Sequence, residues 1–473
     1  MFSLVESQPS RGAHGRLQRR EFLRIGSLAL GSAFALPNLL ASRAAAADEL
    51  APMVRDKSVV FLFLQGGPSQ LETFDPKMAA PREYRTITGE VRTKLPGVTF
   101  GGTFPQMASI ADKLAVVRSF ASGNGDHQNY LSVAGGNSLK VPMGTLYSRI
   151  AGTNHPVTGM PSNVLVAPEA VDAESRLGAN FETDSLNKLI ASSQNLGASC
   201  AYFDPSGGGE LRRNLELQLP RGRFDDRRSL LRQLDTFRRS VESTRAIENA
   251  SVFEQQAYDV IVNGISQAFD ISREDPRVVQ RYDTARCFAN ADVQKWGDMR
   301  RSTNLLGKQM LMARRLCEAG CGFVTVVDAG WDMHSNGNSP KHLGGMYWLG
   351  PQVDHAVTAF LEDVEARGLS DKILLVVSGE MGRTPNINRD GGRDHWGELT
   401  PLVLAGGGLK MGQVIGRSDD RGGRPATDRY TPSNLMATVM HTLFDINQLR
   451  VAQNLPKNIV DTLGAVSPIR ELF

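Results

Sequence analysis

Six short runs of aliphatic and β-branched residues recur along the chain, and each ends in glycine or polar residues. Within a run, the apolar residues are nearly continuous rather than alternating with polar ones. Such runs are typical of strands that are buried on both faces of a parallel sheet. The predicted strands are 58–65, 114–120, 163–168, 322–330, 372–380 and 401–408.

Amphipathic stretches separate several of these runs. We predict helices over 304–320 and 351–368, each of which leads into a strand. Repetition of strand, helix and strand favours a helix-covered, mostly parallel α/β sheet. We therefore interpret residues 48–473 as a single α/β domain.

One stretch departs from this pattern. Residues 224–270 are charged and helical in pattern, with apolar residues spaced four, three and four positions apart. This spacing is typical of a seam between packed helices. The positions are Leu230, Leu234, Phe237 and Val241. Two interpretations of a helical insertion at about 205–300 stay open: it caps the sheet or meets a partner subunit, or it is a plain helical pair on the surface.

The N-terminus carries the three parts of an export signal. QRREFLR at 18–24 places two adjacent arginines before a mostly apolar stretch, 25–40, and Ala45 and Ala47 form a small-x-small cleavage site. That stretch is shorter than the about 20 residues of a membrane-spanning helix. The pattern resembles a twin-arginine signal, so we predict that residues 1–47 are removed and that the chain is periplasmic or secreted. A short buried helix or an uncleaved anchor is the alternative.

The basic balance of the chain belongs to this predicted signal. The chain holds 53 Lys and Arg against 50 Asp and Glu, a formal charge of +3. Six arginines and two glutamates lie before residue 48, which leaves 47 bases and 48 acids in the mature chain. A balanced mature chain gives no reason to expect nucleic acid or anionic lipid as a partner. No apolar run after residue 47 is long enough to span a bilayer.

Acidic residues and histidines gather where the predicted strands end. In open α/β sheets, ligands bind outside the carboxyl ends of the strands. Three of the eight histidines lie in these loops, each within two residues of an aspartate. The residues concerned are Gln65 and Asp75 after the first strand, Asp126 and His127 after the second, Asp332 and His334 after 322–330, Glu380 and Arg383 at the end of 372–380, and Asp394 and His395 in the next loop.

Several of these residues suit a metal ion. Asp332 and His334 lie two positions apart, so in an extended segment both side chains project to the same side. Carboxylate and imidazole together suit Zn, Mn or Fe rather than Ca. Glu380 and His395 would complete a four-ligand site. Arg383 would clamp an anionic group of the substrate.

Each motif also has a purely structural interpretation. Asp and Asn side chains commonly satisfy the amides of turns, so Asp332 and His334 also fit an ordinary loop. Glu380 fits the cap of a helix, and His395 fits a solvated loop. Their occurrence at successive strand ends favours a functional site.

The order of four motifs along the chain resembles a known family. The motifs are GGPSQLETFDPK, GWDMH, SGEMGRTP and GGRDHW. Together with the twin-arginine start, they are similar to the domain-of-unknown-function family 1501 of exported bacterial proteins, over essentially the whole chain. That family is in turn similar to the alkaline phosphatase and sulfatase superfamily, which has an α/β fold with a metal site at the strand ends.

The resemblance implies roles for individual residues. Asp332, His334 and His395 resemble the ligands of the superfamily's first metal. Glu380 lies where the superfamily has an aspartate, and it implies a fourth ligand.

Other positions depart from the superfamily pattern. Met381 stands in place of a histidine, and Gln65 stands in place of an acidic ligand. These departures imply one divalent metal, Zn, Mn or Fe, rather than two. The segment DHQNYLSVAGG places Asp126 or His127 at the nucleophile position. His127 would then form a phosphohistidine, or it would act as a general base or a further ligand.

Two functions stay open on this basis. The first is an exported metal-dependent hydrolase of phosphate or sulfate esters, acting on a small anionic ester or a sulfated or phosphorylated glycan. The alternative is a non-catalytic exported protein with a degenerate metal site, which binds a companion exported protein or a polysaccharide. A dinucleotide-dependent oxidoreductase does not fit, because no G-x-G-x-x-G follows the first strand.

Overall fold

The computed structural model describes residues 50–127, 132–172, 174–175, 188–189, 192–197, 200–205, 265–341 and 343–473. The predicted signal at 1–47 and most of the predicted helical insertion lie outside the described residues. Both stay predictions.

The described residues form eleven strands. They are β1 Ser58–Gln65, β2 Glu90–Arg92, β3 Thr99–Gly101, β4 Ala115–Val117, β5 Asn163–Val166, β6 Phe323–Ala329, β7 Ile373–Ser378, β8 Gly382–Arg383, β9 His395–Trp396, β10 Leu402–Gly406 and β11 Gln413–Ile415. Seven of them form the central sheet, in the order β11-β4-β10-β7-β1-β6-β5. The other four form two small antiparallel ladders, β2 with β3 and β8 with β9.

Six of the seven central strands run in one direction. β1 pairs in parallel with β6 and β7, β5 pairs with β6, and β11 pairs with β4. Only β10 is antiparallel to its neighbours within this sheet. The predicted mostly parallel α/β sheet is therefore confirmed, and the carboxyl ends of β1, β6 and β7 lie side by side at one edge.

All six predicted runs contain a strand, although most strands are shorter than predicted. The run at 114–120 contributes only the three residues of β4. β11 is a further strand that the hydrophobic pattern does not predict, because three residues among glycines are too few to stand out.

Alternate residues of β1 pack against two separate layers of helices. The even-numbered residues from Val60 to Leu64 share a buried cluster with the helices Leu306–Glu318 and Met346–Ala366. The odd-numbered residues from Val59 to Phe63 share another with the helices Met143–Ala151 and Pro432–Leu443. Since successive side chains of a strand point to opposite faces, the sheet is covered on both sides.

Two long helices agree with the predicted positions. The helix predicted at 304–320 is Leu306–Glu318. The helix predicted from Pro351 begins earlier, at Met346, because Met346 and Leu349 extend its buried face upstream of the proline. The other helices are Pro105–Ser109, Ile265–Phe269, Pro276–Arg281, Asn290–Val293, Ile446–Leu449 and Lys457–Gly464. None of the helices in the described part of the chain combines the length and the apolar character that crossing a membrane requires.

Candidate metal centre

The loops that follow β1, β6 and β7 meet at the carboxyl edge of the sheet. β7 leads into the β8–β9 ladder, in which Arg383 pairs with His395. This ladder places His395, the first residue of β9, beside Arg383. Asp332 lies three residues after the end of β6.

Three side chains from distant parts of the chain converge at this edge. The nitrogen and oxygen atoms of His127, Asp332 and His395 that are able to bind a metal lie within 4.8 Å of one another. Nε2 of His395 is 3.0 Å from Oδ1 of Asp332, and Nε2 of His127 is 3.7 Å from Oδ2. The rings of His127 and His395 are nearly perpendicular, with their centroids 4.6 Å apart. Asp332 is therefore the shared centre of the cluster.

His334 lies at the rim of this cluster. Its Nε2 is 3.1 Å from Oδ2 of Asp332 and 3.0 Å from Nδ2 of Asn338. The side chain of His334 is 36% exposed, compared with 32% for His395 and 20% for His127. The structure thus brings the predicted pair Asp332 and His334 together. The tightest set of three, however, contains His127 and not His334.

Glu380 contacts His127 from the side opposite Asp332. Oε1 of Glu380 accepts the backbone N–H of Gly66 at 2.9 Å and lies 2.9 Å from Nδ1 of His127. Oε2 is buried and has no hydrogen-bond partner among the residues that the structure describes. We predict Glu380 from sequence as a metal ligand. In the structure, the Glu380 carboxylate contacts Nδ1 of His127, the ring nitrogen that faces away from Asp332. Carboxylates beside metal-binding histidines commonly make this contact.

Arg383 is buried beneath the cluster. All three of its guanidinium nitrogens donate to protein oxygens, and Nη2 lies 2.6 Å from Oδ1 of Asp332. The side chain is 1% exposed. This position does not match the predicted anion clamp, because the guanidinium is closed off from solvent. Arg383 holds Asp332 instead.

Asp126 is not drawn into the cluster. Its side chain is exposed, and its backbone N–H donates to Oδ1 of Asn124 at 2.8 Å. His127 turns inward although Asp126 next to it faces solvent. Of the two residues predicted for the nucleophile position, only His127 reaches the site.

The buried carboxylates determine the pKa values in the cluster. Burial lowers the pKa of His127, but hydrogen bonds to Asp332 and Glu380 outweigh this effect and raise the pKa to about 9. Burial also raises the pKa of Asp332, while the three histidines and Arg383 hold it well below its usual range. Asp332 is therefore a carboxylate at neutral pH.

Two glycines allow the loops to approach this closely. Gly66 has a φ of +119°, and a Cβ there would lie 2.4 Å from the backbone nitrogen of Asp332. A Cβ at Gly392 would lie 2.4 Å from the carbonyl carbon of His334. Both positions require glycine, because any side chain would collide with backbone rather than with a movable side chain.

A buried ion pair that the sequence pattern does not predict supports the segment before His395. Nε and Nη2 of Arg393 each lie 3.1 Å from an oxygen of Glu72, and both side chains are fully buried. Arg393 also donates to the carbonyls of Tyr84 and Arg85. An acid in the first motif and an arginine in GGRDHW were the available signal, but their separation of 321 positions conceals the pairing.

The fold and the cluster together define an α/β protein with a candidate metal centre at the carboxyl edge of its sheet. The chain belongs to the family described as protein of unknown function (DUF1501), whose model matches residues 56–473. This match confirms the resemblance that the four motifs indicate. No curated protein matches the chain.

Several solved structures are similar to the chain at low identity. The lipoteichoic acid synthase LtaP from Listeria monocytogenes is 9% identical, with 82% of this chain and 72% of that chain covered and a TM-score of 0.33. The PsFucS1 sulfatase from Pseudoalteromonas sp. is 12% identical, with coverages of 90% and 72% and a TM-score of 0.33. The phosphonate monoester hydrolase SpPMH from Silicibacter pomeroyi is 10% identical, with coverages of 82% and 73% and a TM-score of 0.28. TM-scores this low support no conclusion about function.

Proposed function

We propose that this protein is a metal-dependent hydrolase of phosphate or sulfate esters. The observation that carries the proposal is the convergence of His127, Asp332 and His395 from three distant loops, with their ligand atoms within 4.8 Å of one another. Imidazole nitrogens with a carboxylate oxygen suit Zn, Mn or Fe. We propose that these three residues hold one such ion.

The surroundings of the cluster fit a cation. The carboxylates of Asp332 and Glu380 are both buried, and the guanidinium of Arg383 contacts Asp332. Oε2 of Glu380 is buried without a hydrogen-bond partner in the described part of the chain. A buried acceptor without a partner is unfavourable unless a donor or a cation is supplied. Without an ion, a proton on His127 balances the second carboxylate, because the pKa of His127 is raised to about 9, and a divalent ion would replace this proton.

The residues around the centre would have different roles in the reaction. A bound ion would polarise an ester oxygen and lower the pKa of a water molecule. Glu380 holds Nδ1 of His127 and thereby orients Nε2 towards the centre. His334 is the most exposed of the three imidazoles and lies where it can exchange a proton with solvent.

His127 fits a ligand better than the nucleophile that the sequence resemblance implies. Its two ring nitrogens face the carboxylates of Glu380 and Asp332. An attacking nitrogen needs one face open to the ester, whereas a ligand held from behind by a carboxylate matches the observed geometry.

The substrate class follows from the family resemblance and from the chemistry of such a centre. A metal ion stabilises the negative charge that develops on a phosphoryl or sulfuryl group during transfer. We propose a small anionic ester or a sulfated or phosphorylated glycan as substrate. We also propose export through the twin-arginine signal at 1–47.

A second candidate function is a non-catalytic exported binding protein. Gln65 and Met381 favour it, because both are buried at the carboxyl edge and neither carries a charge. Such a protein would keep the fold and the cluster while binding a companion exported protein or a polysaccharide.

Metal analysis combined with an ester assay tests the proposal. The mature chain, stripped of metal and reloaded with Zn, Mn or Fe, should bind about one equivalent and hydrolyse an aryl phosphate or an aryl sulfate. His395→Ala should lose both properties. His441→Ala is the matched control, because His441 lies on the helix Pro432–Leu443 and outside the cluster.

The outcomes separate the two candidates. Metal binding without hydrolysis of either ester favours the binding protein. Equally negligible metal content in the wild type and His395→Ala contradicts the metal centre itself.

A further inference from the structure

The guanidinium of Arg383 occupies a cage of oxygen atoms directly beside the candidate metal centre. Four backbone carbonyls and one carboxylate oxygen surround it, and they come from the loops after β1 and β6 and from the segment just before β9. These acceptors are the carbonyls of Gly66, Gly67, Trp331 and Arg393 and Oδ1 of Asp332.

The cage is tight and closed. Nε of Arg383 lies 2.7 Å from the Gly67 carbonyl, and Nη2 lies 2.6 Å from Oδ1 of Asp332 and 3.3 Å from the Trp331 carbonyl. The backbone of Arg383 is fixed as well, because Gln70 accepts its N–H at 3.0 Å and donates to its carbonyl at 2.8 Å. The side chain therefore has no alternative position at this depth.

The composition of the cage is that of a site for a hard cation. Carbonyl and carboxylate oxygens are the ligands that Mg, Ca and Mn prefer. Here the occupant is an arginine, which is not deprotonated in proteins. A single positive charge is thus permanently bound where five oxygens converge.

Asp332 is shared between this cage and the metal centre. Its Oδ1 accepts the guanidinium and also lies 3.0 Å from Nε2 of His395, whereas its Oδ2 faces His127 and His334. One carboxylate between two cations is the arrangement of two-metal sites, whose ions lie about 3.5–4 Å apart. In this protein, the chain itself fills one of the two positions.

We propose that Arg383 is a built-in cation that takes the place of a second metal ion and limits the centre to one divalent ion. The inference rests on the proposed function for the existence of that one ion. It makes Arg383 a positioning residue, which acts on the metal and the substrate through Asp332.

Counting bound Mn²⁺ tests the inference. The wild-type chain, stripped of metal and then saturated with Mn²⁺, should bind one equivalent and give the electron paramagnetic resonance spectrum of an isolated ion. Arg383→Ala opens the cage and leaves its oxygens unpaired. This variant should bind a second equivalent, with a spectrum broadened by coupling between neighbouring ions.

Chemical rescue separates an electrostatic role from a merely structural one. Guanidinium chloride at a non-denaturing, low-millimolar concentration should re-enter the cage of Arg383→Ala and return the count to one. Arg383→Lys keeps the charge and should also bind one equivalent. Arg314→Ala is the matched control, because Arg314 is equally buried but lies among acids on the helix side of the sheet, so its count should stay at one.

Three results would overturn the inference. They are two equivalents in the wild type, a coupled-ion spectrum in the wild type, and a count of one in Arg383→Ala with and without guanidinium. Should Arg383→Ala fail to fold, Arg383→Met, which keeps the apolar stem, replaces it, and the wild-type spectrum remains decisive. A wild-type chain that binds no Mn²⁺, Zn²⁺ or Fe²⁺ would contradict the proposed function instead.

Discussion

Two clusters of buried charge lie on different sides of this protein, and they are neutralised in different ways. A network of three arginines and three acids, here called the helix-side network, joins the helices Leu306–Glu318 and Met346–Ala366. Its members are Arg314, Arg315, Arg367, Glu274, Glu318 and Asp363. At the metal centre, two carboxylates, Asp332 and Glu380, face one arginine, Arg383, and three imidazoles. The helix-side network is balanced by arginines, whereas the metal centre balances its second carboxylate with a proton on His127, whose pKa is raised to about 9.

This difference separates a structural cluster from a functional one. A buried charge is costly unless a partner neutralises it. The helix-side network supplies its ion-pair partners from within the chain, although Nε of Arg314, 2.9 Å from Oδ2 of Asp363, makes no hydrogen bond among the described residues. The metal centre leaves one carboxylate oxygen, Oε2 of Glu380, without a partner among the described residues, so its completion requires something that the chain does not provide.

Asp332→Asn should have the largest effect. It removes the carboxylate that three histidines and Arg383 share, so metal affinity should fall by more than the about 10–100-fold typical of changes behind the ligands. It also leaves the Arg383 guanidinium buried without its anion, at a cost of about 3–5 kcal/mol in the free energy of unfolding. Metal titration and urea unfolding measure the two effects.

The matched substitution in the helix-side network separates these effects. Asp363 is buried and contacts Arg314 and Arg367, so Asp363→Asn should lower stability as well. It should leave metal affinity unchanged. Unchanged metal affinity in Asp332→Asn would contradict the assignment of Asp332 as a ligand.

Arg314→Met should lower stability without changing the metal content. Arg314 is 1% exposed and lies 2.7 Å from Glu274 and 2.9 Å from Asp363. Its loss removes one arginine from each acid, although Arg315 and Arg367 still contact Glu274 and Arg367 still contacts Asp363. We therefore expect a decrease of about 1.5–3 kcal/mol in the free energy of unfolding. The metal content should not change. A loss of metal at full stability would show that the two clusters are coupled.

Asp328 is a further buried carboxylate, and a proton neutralises it below about pH 7. Burial raises the pKa of Asp328 to about 7, although the N–H of Trp331 donates to it at 2.8 Å. A raised pKa in the folded state stabilises the fold at low pH, and this contribution is lost as the pH rises from about 4 to about 7.

Asp328→Asn should remove this pH dependence. Relative to the wild type, the variant should gain up to about 1.4 kcal/mol of stability per pH unit between pH 4 and 7, measured by urea unfolding with a chelator present. Nε2 of Gln352 donates to Oδ1 of Asp328, and a reversal of the Gln352 amide would offer its Oε1, which has no partner among the described residues, to the new amide. Asp126→Asn, an exposed substitution of the same kind, is the matched control. A difference for Asp328→Asn that does not change with pH would mean that Asp328 stays ionised.

The pattern of apolar residues along the chain was sufficient to predict most of the fold. Continuous apolar runs identify β1, β6 and β7 because these strands are buried on both faces. The direction of β10 was not predictable, since it depends on how the chain crosses between Ser378 and Leu402 and not on the composition of the strand. β11 was missed because three residues carry too little pattern.

The candidate site was predictable in position but not in geometry. The rule that parallel strands end at one edge places Asp332, Glu380 and His395 near one another. It does not say that Arg383 turns inward, because this depends on the positive φ values of Gly66 and Gly67, which bring two carbonyls onto the guanidinium. Nor does it place Glu380 behind His127, since that contact joins residues 253 positions apart.

Glu380→Gln should have the smallest effect, and it distinguishes the predicted role of Glu380 from the observed one. Glutamine keeps an oxygen for the Gly66 N–H and for Nδ1 of His127, but it removes the negative charge. If Glu380 acts by orienting His127, metal affinity should fall by about 10–100-fold, measured by competition with a chelating dye. A larger loss would show that Oε2 binds the metal directly, as the sequence predicts. Glu274→Gln makes the same change in the helix-side network and should leave metal affinity unchanged. An affinity equal to that of the wild type in Glu380→Gln would remove Glu380 from the centre and, with it, the carboxylate oxygen that lacks a partner among the described residues and sets the two clusters apart.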